Sequence, residues 1–167
     1  QVNRRMMERF ADEYAFVTML RHPVERFISH YFHNTFTEPD HEFHIDVPLE
    51  EFVETERAKG VGQIFLSYLS GTGEMSADER ADSERVLEEA KCNLRDFAVV
   101  GVVDEMEWFR RTMSERLGDE INPLRQNVSK ASRAKKEAVV SEAVRERVRA
   151  LCAEDLALYR YARSVSH

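Results

Sequence analysis

Apolar residues recur along the chain with two distinct periods, and the switches between them set the element order. Val2, Met6, Met7 and Phe10 fall at helical spacing. Tyr14 to Leu20 is a nearly continuous apolar run rich in aromatic and β-branched residues. That is the pattern of a strand buried on both faces, as in a parallel sheet. Arg21-His22-Pro23 ends the run, and Pro23 suits the first turn of a helix, where its missing N–H costs nothing. Val24, Phe27, Ile28 and Tyr31 then form a core stripe that predicts a helix over 23–33. The polar, acidic stretch 34–47, with Pro39 and two histidines, is long for a connection and is expected to be mobile or functional. Two short helices are predicted over 48–57 and 61–69, punctuated by Gly60, Gly62 and Gly71. Ser76 and Glu79 have the spacing of a capping box for a helix that runs to about Leu94. Phe97 to Val103 reads as a second buried strand, and Asp104 as the cap of a helix that Gly118 ends after Leu117. Residues 122–136 have no apolar period. Ser141 caps a last helix with the stripe Val144, Val148, Leu151, Leu156 and Tyr159.

This order is that of an α/β domain, rich in helix, with a parallel sheet and flanking helices. No repeat or boundary divides it, so residues 1–167 read as a single domain. Two buried strands do not make a stable open sheet alone. No other segment reads as a strand, so the first strand is expected upstream of Gln1, in an N-terminally incomplete domain. Composition adds exclusions. With 43% hydrophobic and 33% charged residues among 167, the chain is neither disordered nor collagen-like. A net charge of −7 argues against a nucleic-acid partner. No apolar run approaches the roughly 20 residues of a membrane helix. Cys92 and Cys152 have no CxxC partners, which excludes a zinc ribbon and a disulfide framework and fits a reducing compartment. No leader is visible in residues 1–10.

Three groups of residues carry candidate chemistry. Arg21 sits at the carboxyl end of a parallel strand, the edge where open α/β sheets bind ligands. The helix after it offers an N-terminus that favours anions, and Arg26, Ser29, His30 and His33 on its polar face. A guanidinium, a hydroxyl and a helix N-terminus converging at a strand end make a phosphate site. The plainer alternative pairs Arg26 with a surface Glu and leaves Ser29 and the histidines in solvent. The second group is 125–136, where five of twelve residues are basic and none is acidic. That charge suits a polyanionic ligand, or simply a solvated loop. The third is the histidine set His30, His33, His41 and His44. It has no HExxH or Cys–His spacing, so a general base is expected in preference to a metal site. GxxxxGK[ST], GxGxxG and GxSxG are all absent.

The strand followed by RxPxxRxxSxY, from Phe16 to Tyr31, resembles the 3′-phosphate-binding segment of sulfotransferases. Those enzymes use 3′-phosphoadenosine 5′-phosphosulfate as sulfuryl donor. Ala90 to Phe109 is similar to a helix–strand–helix segment of the heparan sulfate 2-O-sulfotransferase-like group. Asn127-Val-Ser129, the basic residues after it and Asp155 to Ala162 are similar to that group's C-terminal part. The resemblance implies a P-loop-kinase-like fold and transfer of a sulfuryl group to a hydroxyl, or an amine, of a carbohydrate-like or small-molecule acceptor. Adenosine 3′,5′-bisphosphate is the implied product, with no metal required. Arg21 and Ser29 would hold the 3′-phosphate, and a loop bearing Arg125, Asn127, Ser129, Lys130 and Arg133 would close over the nucleotide. His33, four residues past Ser29, matches a His of the related N-sulfotransferases and is the candidate catalytic base. Two departures stand beside this. The Gly/Lys loop that grips the 5′-phosphosulfate in the family is absent, and Gly71-Thr72 has no His where the 2-O group does. A non-catalytic nucleotide-binding or interaction module of the same fold is the alternative. A nucleotide kinase would need a Walker loop that is not seen. Unpaired cysteines and the lack of an anchor point to a cytoplasmic, bacterial protein.

Overall fold

A computed structural model describes residues 4–10, 12–71, 82–122 and 140–165. Helix α1 (Arg4–Phe10) leads through a turn into strand β1 (Val17–Leu20) and helix α2 (Pro23–Asn34). Three short helices follow, α3 (Leu49–Phe52), α4 (Glu56–Gly62) and α5 (Ile64–Ser70). Then come α6 (Ser83–Arg95), β2 (Val99–Val102) and a 3-10 turn over Val103–Glu105 that opens α7 (Met106–Leu117). The chain closes with α8 (Glu142–Leu151) and α9 (Ala153–Val165). Among the described residues the sheet has two strands. β1 and β2 are parallel, in register from Val17 opposite Val99 to Leu20 opposite Val102. The fold is therefore helix-rich α/β, as expected.

Two apolar clusters hold it together. One joins α2, α3, α4 and α8 through Phe27, Ile28, Tyr31, Leu49, Phe52, Val144 and Val148. The other joins the sheet to α5, α6 and α9 through Leu20, Leu66, Val86, Leu94, Val102 and Leu158. The predicted stripe of α2 is buried as its period requires, with Phe27 fully excluded from solvent. Ser141 caps α8, its hydroxyl accepting the Val144 N–H at 3.3 Å. Gly118 ends α7 at φ +69°, a conformation a Cβ would oppose.

Several local expectations are corrected. Only β2 is buried along its whole length; Tyr14 is 61% and Val17 41% exposed, so the first strand starts late and its leading half faces solvent. The 34–47 stretch is a folded loop. Ile45 is buried in the first cluster, its N–H donates to the Asn34 carbonyl at 3.2 Å, and Arg57 donates to the His44 carbonyl at 2.9 Å. Three short helices replace two between 48 and 70, because the Thr55 hydroxyl caps a new helix by accepting the Ala58 N–H at 3.1 Å. Asp104 does not cap α7; its carboxylate is turned to Tyr159 instead. The last helix is broken at Cys152, at φ −99° and ψ 18°. Just before the break the chain comes close to α4: the Leu151 carbonyl oxygen lies 2.3 Å from where a Cβ on Gly62 would sit. Ser76 and Glu79 lie outside the described residues.

Candidate functional site at the carboxyl edge of the sheet

Because β1 and β2 are parallel and in register, Arg21-His22 and Val103-Asp104 leave the sheet at the same edge. α2 begins there, with Pro23 in its first turn and Val24 and Glu25 N–H groups free of intrahelical partners. The pre-proline position holds His22 extended, at φ −51° and ψ 121°, which turns the chain from strand into helix. Arg21 is exposed, and its guanidinium makes no hydrogen bond or ion pair among the described residues. A free guanidinium beside a helix N-terminus is suited to an anion, and a phosphate group fits that donor set.

The rest of α2 divides between two tasks. Ser29 is half-buried and His33 exposed, on successive turns about 6 Å apart along the axis. Neither has a hydrogen-bond partner among the described residues. Arg26 and His30, placed by sequence reasoning on the same ligand-facing side, turn inward instead. Arg26 donates to the Val61 carbonyl, lies over the Phe65 ring at 5.1 Å and has Asp155 Oδ2 at 3.8 Å. Asp155, with no exposed surface, also accepts the N–H groups of Phe65 at 3.0 Å and Leu66 at 2.9 Å, capping α5. Burial lowers the pKa of Arg26, and Asp155 opposes that shift. The partner of Arg26 is thus a buried Asp of α9, not a surface Glu. His30 buries its Nε2 without a partner, and burial together with Arg26 and Arg57 pushes its pKa down to about 4. It is therefore neutral at physiological pH, with one nitrogen shut inside.

His41 and His44 serve the loop. The His44 Nδ1–H donates to the Thr37 carbonyl at 3.0 Å, and the Phe43 N–H donates to His41 Nδ1 at 3.1 Å. Among the described residues no three His, Cys, Asp or Glu side chains gather in a way that would hold a metal ion. Arg125, Asn127, Ser129, Lys130 and Arg133 lie outside the described residues.

The sheet edge holds residues that sequence reasoning missed. Tyr159 of α9 donates its hydroxyl to Asp104 Oδ2 at 2.7 Å and meets the His22 ring edge-on at 5.3 Å. Burial and the bond to Asp104 push the Tyr159 pKa up to about 12, so the hydroxyl stays a donor. One signal was available: Asp155 falls at i+3 from Cys152 and Tyr159 at i+7, which places a carboxylate inside an apolar helical stripe.

The model of the sulfotransferase family matches residues 1–162. The chain belongs to the sulfotransferase family. No curated protein and no solved structure matched it. Sulfotransferases move a sulfuryl group to an acceptor and generally take it from 3′-phosphoadenosine 5′-phosphosulfate. An anion-suited strand end is in keeping with that family. No described helix is long and apolar enough to cross a membrane.

Proposed function

We propose that residues 1–167 form one sulfotransferase domain that transfers a sulfuryl group from 3′-phosphoadenosine 5′-phosphosulfate to a hydroxyl, or an amine, of a carbohydrate-like or small-molecule acceptor. Arg21 carries the reading: a guanidinium without a partner among the described residues, where a parallel strand meets a twelve-residue helix, in a chain of this family. In this reading Arg21 supplies a charge-assisted fork to the 3′-phosphate and Ser29 a hydroxyl donor. The nucleotide supplies the sulfuryl group. Arg125, Asn127, Ser129, Lys130 and Arg133 are assigned to the nucleotide on charge and family resemblance alone. His33 takes the acceptor's proton, and its exposure on the turn beyond Ser29 supports that role.

The branch proposed is the heparan sulfate 2-O-sulfotransferase-like one, on the Arg21-to-Ser29 spacing and the 90–109 segment. The proposed sheet is P-loop-kinase-like, with a further strand and its 5′-phosphosulfate loop joining the two strands described. The half-exposed start of β1 supports it. Free thiols at Cys92 and Cys152 favour a cytoplasmic setting.

Calorimetry with adenosine 3′,5′-bisphosphate tests the site. Arg21→Ala should weaken binding by about 1.5–3 kcal/mol, the range for hydrogen bonds to charged groups. A folded Arg21→Ala protein with unchanged affinity removes Arg21 from the site and the reading with it.

A further inference from the structure

His22 occupies the N-cap of α2, where Ser, Thr, Asp or Asn would satisfy one of the free N–H groups, yet its side chain makes no capping bond. Its ring is held for something else. One edge packs against Tyr159 at 5.3 Å and 65°, and the Tyr159 hydroxyl is tied to Asp104 at 2.7 Å. Asp104 leaves β2 at the edge where His22 leaves β1. Two strand ends and the C-terminal helix therefore fix one imidazole at the strand end, next in the chain to Arg21.

The hydrogen bonding of that imidazole is incomplete. Nδ1 is buried and has no partner among the described residues. A buried N–H without an acceptor costs more than a buried lone pair, which favours the tautomer with its proton on Nε2. The backbone carbonyl of His22 accepts the Arg26 N–H at 2.9 Å, while its ring has no hydrogen-bond partner among the described residues, which leaves Nε2 available as a donor at the strand end.

We propose that His22 is a specificity-determining residue of the anion site: its Nε2–H donates to the nucleotide's 3′-phosphate beside Arg21, with the ring orientation set by Tyr159 and Asp104. The inference rests on the reading of Arg21 as the phosphate anchor. It deepens that reading by assigning the site a preference for a 3′-phosphate monoester through an imidazole donor as well as the Arg21 guanidinium.

Calorimetry on the full chain with adenosine 3′,5′-bisphosphate and with adenosine 5′-monophosphate gives the ratio of the two affinities, which isolates the 3′-phosphate. His22→Asn separates structure from binding, because Asn is a good N-cap. The variant should melt at or above the wild-type temperature. It should lose about tenfold in bisphosphate affinity, the low end for a hydrogen bond to a charged group, and keep its monophosphate affinity. Tyr159→Phe keeps the ring contact but frees Asp104, and should lower the ratio by less. A residue with only a structural role would leave the ratio unmoved. If Arg21→Ala abolishes the bisphosphate preference and His22→Asn retains it in full, this inference falls and the anchor stands. If the wild-type chain shows no preference for the bisphosphate, the anchor and this inference fall together.

Discussion

Replacing Asp155 by Ala removes a carboxylate that three groups share. The side chain is wholly buried; it accepts the Phe65 and Leu66 N–H groups at 3.0 and 2.9 Å, with Arg26 Nη2 at 3.8 Å. Two losses combine. The first turn of α5 loses its cap, worth about 0.5–2 kcal/mol. Arg26, with a side chain only 15% exposed, keeps its charge without a counterion. Removing one member of a buried pair costs about 3–5 kcal/mol. At 3.8 Å the pair is looser than a direct hydrogen bond, so the combined loss should be about 3–5 kcal/mol at pH 8. That is a large share of the roughly 5–15 kcal/mol that holds a domain folded. Urea denaturation followed by the fluorescence of Trp108, the single tryptophan, measures it.

The pH dependence adds a second check. Burial pushes the Asp155 carboxyl from 3.8 up to about 7, against the Phe65 and Leu66 N–H groups and Arg26, which pull it down. An acid whose pKa is higher folded than unfolded binds its proton more tightly in the folded state. Its contribution to stability is full below about pH 4, declines as pH rises to about 7 and is level above. The gap between wild type and Asp155→Ala should therefore be wider at pH 5 than at pH 8. A loss under about 1 kcal/mol at pH 8, the level of an exposed ion pair, refutes the structural role. A gap that widens with rising pH refutes the direction of the pKa shift. Because Arg26 lies on α2 between Arg21 and Ser29, the variant should also bind nucleotide more weakly.

Gly62→Ala puts a Cβ 2.3 Å from the Leu151 carbonyl oxygen, a backbone atom that cannot swing aside. A cost of about 1–3 kcal/mol is expected in thermal melting, and wild-type stability would show that the α4–α8 approach is not tight. His33→Ala should lower turnover by about 10²–10⁴-fold in steady-state kinetics while leaving nucleotide affinity nearly unchanged. Wild-type turnover in that variant excludes His33 as the base.

The local pattern determined much of this protein on its own. The stripe Val24, Phe27, Ile28 and Tyr31 buries as its period demands, and Ser141 and Gly118 bound their helices. The run from Phe97 contains a fully buried strand. These features depend on residues within a few positions of one another, so a single segment is enough to state them. The spacing of Arg21, Pro23 and Ser29 likewise places a guanidinium and a hydroxyl on one strand–helix unit.

The tertiary structure alone decided which polar residues of that unit face outward. Arg26 and His30 carry the same local signals as Ser29 and His33, but Arg26 is drawn in by Val61 of α4 and Asp155 of α9, and His30 buries its Nε2. Asp155, 129 positions after Arg26, draws the guanidinium inward. The close approach of Leu151 to Gly62 joins positions 89 apart, and the diversion of Asp104 from cap to acceptor depends on Tyr159, 55 positions on. In each case the deciding energy is desolvation or a contact between residues far apart in sequence, and no periodicity along the chain records which distant group will arrive.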